Sequence, residues 1–352
     1  MPSVSWFQVP GVPVVPDVPT DDRILLVLLA ADVGGTKTLL GVFRPDGVRP
    51  RPVVVREFAT LDFDSLDDIV QTFLDETGPH TIQAVCIGVA GPVNGLVARL
   101  TNVPWLADAS GIADRLDGRP VMLVNDLEAM AHAVPVLEPD ELDVLQEGVA
   151  VATGNAALIA AGTGLGEALL HNVNGRFLPS PSEGGHADFA ARTPRELELV
   201  RELSRVHGRV DNERIISGPG LVNLFRFTHG TQDLRTACRA LGPDLDPSDL
   251  PAAISQSAME GRCQRCREAL DMFVEAYGSE AGNLALRSVA TAGVYVGGGI
   301  APKILPALET GLFMSAFCDK EPMVDLLRTL PVRVILNPGA GLLGAAVRAG
   351  ML

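Results

Sequence analysis

Apolar residues in this chain come in short runs that stop at glycine. Ile24 to Ala31 is an unbroken apolar run that reads as a buried strand, and Asp32-Val33-Gly34-Gly35-Thr36-Lys37-Thr38 follows it. A second run, Leu39 to Phe43, comes at once, so the pattern predicts a hairpin. The design repeats further on: Ala157 to Ala161, then the turn Gly162-Thr163-Gly164, then Leu165 to Leu170. Thr291 to Ile300 is a strand that runs into three glycines, Gly297 to Gly299, and a helix led by Pro302 is expected after it. Pro120 to Val124 reads as a buried strand that stops at Asn125-Asp126 and turns into a helix. Mixed sheets with helices between the strands, an α/β chain, are what this pattern predicts.

The turns carry candidate chemistry. Glycines let a turn adopt positive φ and let backbone N–H groups face an anion. Asp32 is placed to hold magnesium, directly or through water, beside a phosphate, with Thr36 and Lys37 as donors. The plainer alternative is a hairpin turn with solvated polar residues. Asp126 stands at the carboxyl end of a strand, where ligand crevices open in α/β sheets, and fits a general base for an attacking hydroxyl. Its alternative is helix capping, shared with Asn125. Glu183 and His186 lie three residues apart across two glycines and suit adjacent hydroxyls of one sugar; no third ligand at useful spacing makes them a zinc site. Glu213 is either a further sugar-facing carboxylate or the surface partner of Arg214.

Composition narrows the reading. At 352 residues the chain can hold two domains with full cores, and 47% hydrophobic and 20% charged residues are an ordinary globular balance. A net charge of −15 offers no basic surface for nucleic acid, yet does not exclude ATP, which backbone amides, magnesium and a few local donors can hold. Five cysteines suit a reducing, cytoplasmic compartment. Cys263-x-x-Cys266 lies in a charged, helix-like stretch with no second pair and no histidine at zinc spacing, so no zinc site is expected there. The first 22 residues, rich in Pro and Val, lack the pattern of a signal peptide and read as an extended arm; no apolar run is long enough to span a bilayer. No P-loop pattern occurs, and the glycine turns open onto strands rather than onto the helix of a dinucleotide fold.

Taken in order, the two hairpin turns and the strand–glycine junction resemble the phosphate and adenosine motifs of the sugar kinase, Hsp70 and actin superfamily. More specifically, Asp32 to Thr38, Gly88 to Val93, Leu100-Thr101-Asn102 with Trp105, Asn125-Asp126, Gly162 to Gly166, Glu183 to Phe189, and Glu213-Arg214 with Ser217 to Gly220 resemble bacterial glucokinase from about residue 24 to the carboxyl end. The resemblance implies a two-domain ribonuclease H-like, actin/hexokinase-type fold with an inter-domain cleft that closes on glucose. The expected division is an arm over 1–22, a small domain over 23–136 and 331–352, re-entered through Val332 to Leu336 and the helix after Gly341, and a large domain over 137–330.

The resemblance also implies ATP:glucose 6-phosphotransferase activity feeding glycolysis, with Asp126 as catalytic base. Asn102, Asn125, Asp126, Glu183, His186 and Glu213 would meet glucose. Ala31, Asp32, Val33, Gly34, Gly35, Thr36, Lys37, Gly162, Thr163, Gly164, Gly298 and Gly299 would meet ATP, and Asp32 the Mg2+. Expected partners are glucose and ATP, with no nucleic acid or membrane, in a homodimer. Two departures stand out. Cys263-x-x-Cys266 lies well past His186 and does not match the zinc loop of the related repressor–kinase glucokinases, and Val210-Asp211-Asn212 is more polar than the small-residue run expected before Glu213. A kinase for fructose, mannose or an N-acetylhexosamine, or a non-catalytic sugar- and ATP-binding sensor, remains the alternative on sequence.

Overall fold

The computed structural model describes residues 26–352 apart from 101–102, 117, 232–237 and 242–244, so Asn102 and the 1–22 arm lie outside the described residues. The chain divides into two compact units, one of residues up to Glu138 with Asn337–Leu352, the other Pro139–Leu336.

The first unit is built on the hairpin of β1 (Leu26–Val33) and β2 (Lys37–Arg44), to which β3 (Arg51–Ala59) adds antiparallel. On the other side of β1, β4 (Thr81–Val89) and then β8 (Val121–Asn125) pair in parallel, giving the order β3-β2-β1-β4-β8. A small ribbon of β5 (Val93–Asn94), β6 (Val97–Arg99) and β7 (Leu106–Asp108) lies between them in sequence. Side chains alternate across a strand, so β1, apolar but for Asp32, serves two cores. Val27, Leu29 and Ala31 pack in one core with residues of α1 (Leu66–Thr77) and α2 (Ser110–Arg115), while Leu28 and Ala30 share the other with Ala129 of α3 (Asp126–Ala133).

The second unit repeats the plan. β10 (Ala156–Ala161) and β11 (Leu165–Val173) form the hairpin and β12 (Arg176–Ser182) extends it; β13 (Gly293–Gly297) and β14 (Val332–Ile335) pair in parallel beyond β10. β9 (Leu142–Gln146) closes the far edge, for an order of β12-β11-β10-β13-β14-β9. Its helices are α4 (Pro194–His207), α5 (Gly218–His229), α6 (Leu250–Met259), α7 (Gln264–Ser288), α8 (Leu305–Leu308), α9 (Leu312–Cys318) and α10 (Val324–Thr329). The long α7 runs through this core, with Phe273, Tyr277 and Phe313 in edge-to-face contact. Three antiparallel strands followed by parallel ones, twice over, is the ribonuclease H-like arrangement of the actin and hexokinase folds.

Two elements differ from the sequence reading. Val332 to Ile335, expected to carry the chain back into the first unit, stays in the sheet of the second: Val332 and Val334 are fully buried there and pair with β13 and β9. Only α11 (Ala340–Ala349) returns, laying Leu342, Ala345 and Ala346 against the sheet of the first unit. The helix led by Pro302 is a 3-10 turn, Ala301–Ile304, followed by the single turn of α8. Among the described residues no helix is long and apolar enough to cross a membrane.

Candidate active site

In the first unit the parallel strands deliver their carboxyl ends side by side. Asp32 of β1 is in register with Gly88 of β4, and Val89 with Asn125 of β8. Asn125 caps α3, accepting the Leu127 N–H at 3.0 Å, and its amide donates to the Gly91 carbonyl at 3.3 Å. Asp126 Oδ1 also accepts the Leu127 N–H, at 2.9 Å. The capping alternative is therefore part of the truth, but it occupies one face of the Asp126 carboxylate and does not exclude a second role. Glycines create the space. A Cβ on Gly88 would sit 2.9 Å from that of Ala129 and 3.8 Å from the Asp126 Cα, so β4 lets α3 approach only without a side chain.

Asp32 is held more tightly than the sequence suggests. A Cβ on Gly341, in the first turn of α11, would collide with its carboxylate, and one on Gly344 would collide with the Ala129 carbonyl of α3. Two glycines of α11 thus let this helix press on both carboxylate-bearing elements. Burial, and next the negative charge of Asp126, push Asp32 up to about 7. A carboxylate pair of this kind is a hard, all-oxygen donor set that a divalent cation would neutralise, so the residues fit Mg2+.

The hairpin turn between β1 and β2 is braced from outside. Gly34 N–H donates to the Lys37 carbonyl at 2.9 Å. Thr60, fully buried, donates its hydroxyl to the Gly34 carbonyl at 2.9 Å and its N–H to that of Thr36 at 3.0 Å. Lys37 is ion-paired with Glu57 across the strands at 2.7 Å and is largely exposed, so its ammonium is engaged on the surface.

The second unit assembles its own group. Gly162 N–H donates to the Gly164 carbonyl and the Gly162 carbonyl accepts from Gly218 N–H, both at 2.8 Å, tying the exposed Thr163 turn to the start of α5. Gly298, at φ 84°, lies so close to Ala161 that any side chain would collide, and Ile300 N–H donates to the Ala161 carbonyl at 3.2 Å. The Gly162 turn and the Gly298-Gly299 junction therefore meet at one residue. Beneath them the buried Tyr277 hydroxyl accepts from Ala161 N–H at 3.2 Å and lies 3.2 Å from the Gly297 carbonyl.

Glu213 accepts the Leu165 N–H at 2.9 Å, and its own N–H donates to the Gly185 carbonyl at 2.9 Å. It joins the Gly164 turn to the loop of Glu183 and His186; the ion pair with Arg214 is not found among the described residues. Glu183 precedes the 3-10 turn Gly184–His186 and His186 ends it, and both are exposed. His186 Nδ1 lies 3.5 Å from Asp211 Oδ2, and Arg209 donates to the His186 carbonyl at 2.8 Å. Asp211, Thr60, Tyr277 and Gly341 escaped the sequence reading because each acts through a contact distant in sequence; only the polarity of Val210-Asp211-Asn212 hinted at one of them.

A ribonuclease H-like sheet in each unit, each headed by a glycine turn, with carboxylates at the strand ends of the first, defines a phosphotransferase of the actin and hexokinase superfamily. The chain belongs to the glucokinase family, whose sequence model, described as "Glucokinase", matches residues 29–351. It is 38% identical over 344 residues to a Synechocystis glucokinase, covering 91% of this chain and 97% of that one. It is 36% identical over 341 residues to a Nostoc punctiforme glucokinase, covering 93% and 100%. The solved glucokinase of an Antarctic psychrotroph superposes with a TM-score of 0.79 at 29% identity, covering 93% of this chain and 99% of that chain.

Proposed function

We propose that this enzyme transfers the γ-phosphoryl group of ATP to the 6-hydroxyl of glucose, in the cytoplasm and at the entry to glycolysis, with Asp126 as general base. The sugar oxygen attacks the γ-phosphorus, its proton passes to the Asp126 carboxylate, and ADP leaves. Asn102, Asn125, Glu183, His186 and Glu213 bind the sugar, Asp211 orienting the His186 ring. The residues from Ala31 to Lys37, Gly162 to Gly164, and Gly298-Gly299 bind ATP. Asp32 would hold Mg2+, which would supply neutralisation of the phosphate charge. The 2.9 Å bond from Glu213 to Leu165 N–H supports a carboxylate that serves both the phosphate turn and the sugar loop.

The observation that carries this reading is Asp126 at the head of α3, which leads off the sheet that also carries Asp32, whose proton affinity burial and then the charge of Asp126 raise. A coupled assay for ADP release with glucose, fructose, mannose and N-acetylglucosamine tests it. Glucose should give the highest kcat/KM, and 6-deoxyglucose should compete without turnover. Faster turnover of another hexose would reassign the substrate, and no ADP release with any of them would overturn the enzyme reading.

A further inference from the structure

Cys263-x-x-Cys266 has partners that the sequence hides. Cys266 Sγ lies 3.9 Å from Cys238 Sγ, 28 residues away, and Cys263 Sγ lies 3.6 Å from His229 Nε2, 34 residues away. The four ligand atoms all fall within 4.8 Å of one another. We propose that His229, Cys238, Cys263 and Cys266 form a structural Zn2+ site that pins the end of α5 to the start of α7.

The spacing matches the metal. Tetrahedral zinc with Zn–S of about 2.3 Å and Zn–N of about 2.0–2.1 Å has S···S edges of about 3.8 Å and S···N edges of about 3.5–3.6 Å. The 3.9 Å and 3.6 Å separations match these edges, and the other separations lie within 4.8 Å. The imidazole is set up as a ligand. Nδ1 lies 2.9 Å from the Phe225 carbonyl, which can only accept, so Nδ1 carries the proton and Nε2 keeps its lone pair. Stacking on Phe225, with ring centroids 3.9 Å apart, fixes the ring plane. A thiol network is a poorer alternative, because sulfur accepts hydrogen bonds weakly, so three thiols would rely on one imidazole nitrogen and on the Ser257 hydroxyl beside Cys266. Three thiolates on one Zn2+ leave a single negative charge. Arg265 donates to the His229 carbonyl at 3.3 Å, and Arg262, itself paired with Glu260, to the Ala240 carbonyl at 3.1 Å, so two guanidinium groups brace the segments that carry the ligands.

The site has a purpose in the fold. Cys263 is the N-cap of α7 and has no side-chain capping bond, and His229 is the last residue of α5. At its other end α5 supports the Gly162 turn, and α7 carries Tyr277 beneath that turn. The metal anchors the far ends of the two helices that hold the second glycine turn.

Metal content of the full-length protein, purified without an affinity tag and under reducing conditions, tests this. We expect about one zinc per chain by elemental analysis, and an X-ray absorption edge fitted by three sulfur ligands and one nitrogen. Cobalt substitution should give thiolate-to-metal charge-transfer bands, and a strong chelator should lower the melting temperature. His229→Ala and Cys238→Ser should each lose the zinc, and His186→Ala should keep it. Should the variants fail to fold, the absorption fit and the cobalt spectrum of the unaltered chain decide alone. Metal-free protein after refolding with zinc, a Cys238–Cys266 disulfide in freshly isolated reduced protein, or zinc lost with His186→Ala would each overturn the proposal.

Discussion

Asp32 and Asp126 divide one difficulty between them. Two carboxylates near each other cannot both ionise cheaply, and burial, followed by the charge of Asp126, pushes Asp32 up to about 7. In the proposed role Asp32 must be ionised to hold Mg2+, so the Mg2+ concentration for half-maximal rate should fall as pH rises through about 7; titrations at pH 6 and 8 check this, and an unchanged value would separate Asp32 from the metal. Gly341 keeps the carboxylate in place, and Gly341→Ala should shift it. A displacement approaching 1 Å at a reacting centre can cost about 10²-fold, so kcat/KM for MgATP should drop by about 10- to 100-fold while glucose affinity in calorimetry is little changed. His186, held by Asp211, is a milder case. His186→Ala should raise KM for glucose by about 2- to 10-fold, as expected for a lost hydrogen bond of about 0.5–1.5 kcal/mol.

The hairpins were legible because their signals are local: an apolar strand, a glycine turn and another apolar strand lie within twenty residues or so of one another. Asp126 was legible for the same reason, since a buried strand ending in Asn-Asp before a helical pattern marks a strand end whatever follows. What supports these turns was not legible. Thr60 reaches the Gly34 turn from 26 residues away, and Tyr277 reaches Ala161 across 116. No periodicity connects such pairs. The strand Val332–Ile335 was assigned to the wrong unit because an apolar run shows that it is buried, not which sheet buries it. Lys37 reads as a phosphate donor from its turn alone, and no local pattern shows that β3 also brings Glu57 within 2.7 Å of it. Thr163 stands exposed at its turn, so its hydroxyl is available to a ligand. Thr163→Val should weaken ATP and leave glucose nearly untouched, measured by calorimetry with each ligand alone; equal losses would mean that the turn does not face phosphate.

Across the whole molecule, buried carboxylates make stability depend on pH. Burial, followed by the charge of Glu280, pushes Glu167 up to about 8, and its Oε1 has no hydrogen-bond partner, as suits a protonated group. Asp32 and Glu167 therefore bind protons in the folded state that the unfolded chain has already released, so their contribution to stability is full below about pH 4 and falls as pH rises towards 8. Glu167→Gln should flatten that slope and raise the melting temperature at pH 8; thermal scans from pH 5 to 8 check the sign. The first 22 residues precede the matched region, and deleting them should leave kcat and melting temperature unchanged. The central claim concerns one carboxylate, and Asp126→Asn addresses it most directly, since the amide oxygen can still accept the Leu127 N–H but takes no proton from a sugar. Steady-state kinetics with glucose and ATP, alongside calorimetry of each ligand, should show kcat lower by about 10²- to 10⁴-fold with both affinities nearly intact. An Asp126→Asn enzyme that keeps more than about half of the normal rate would contradict the account.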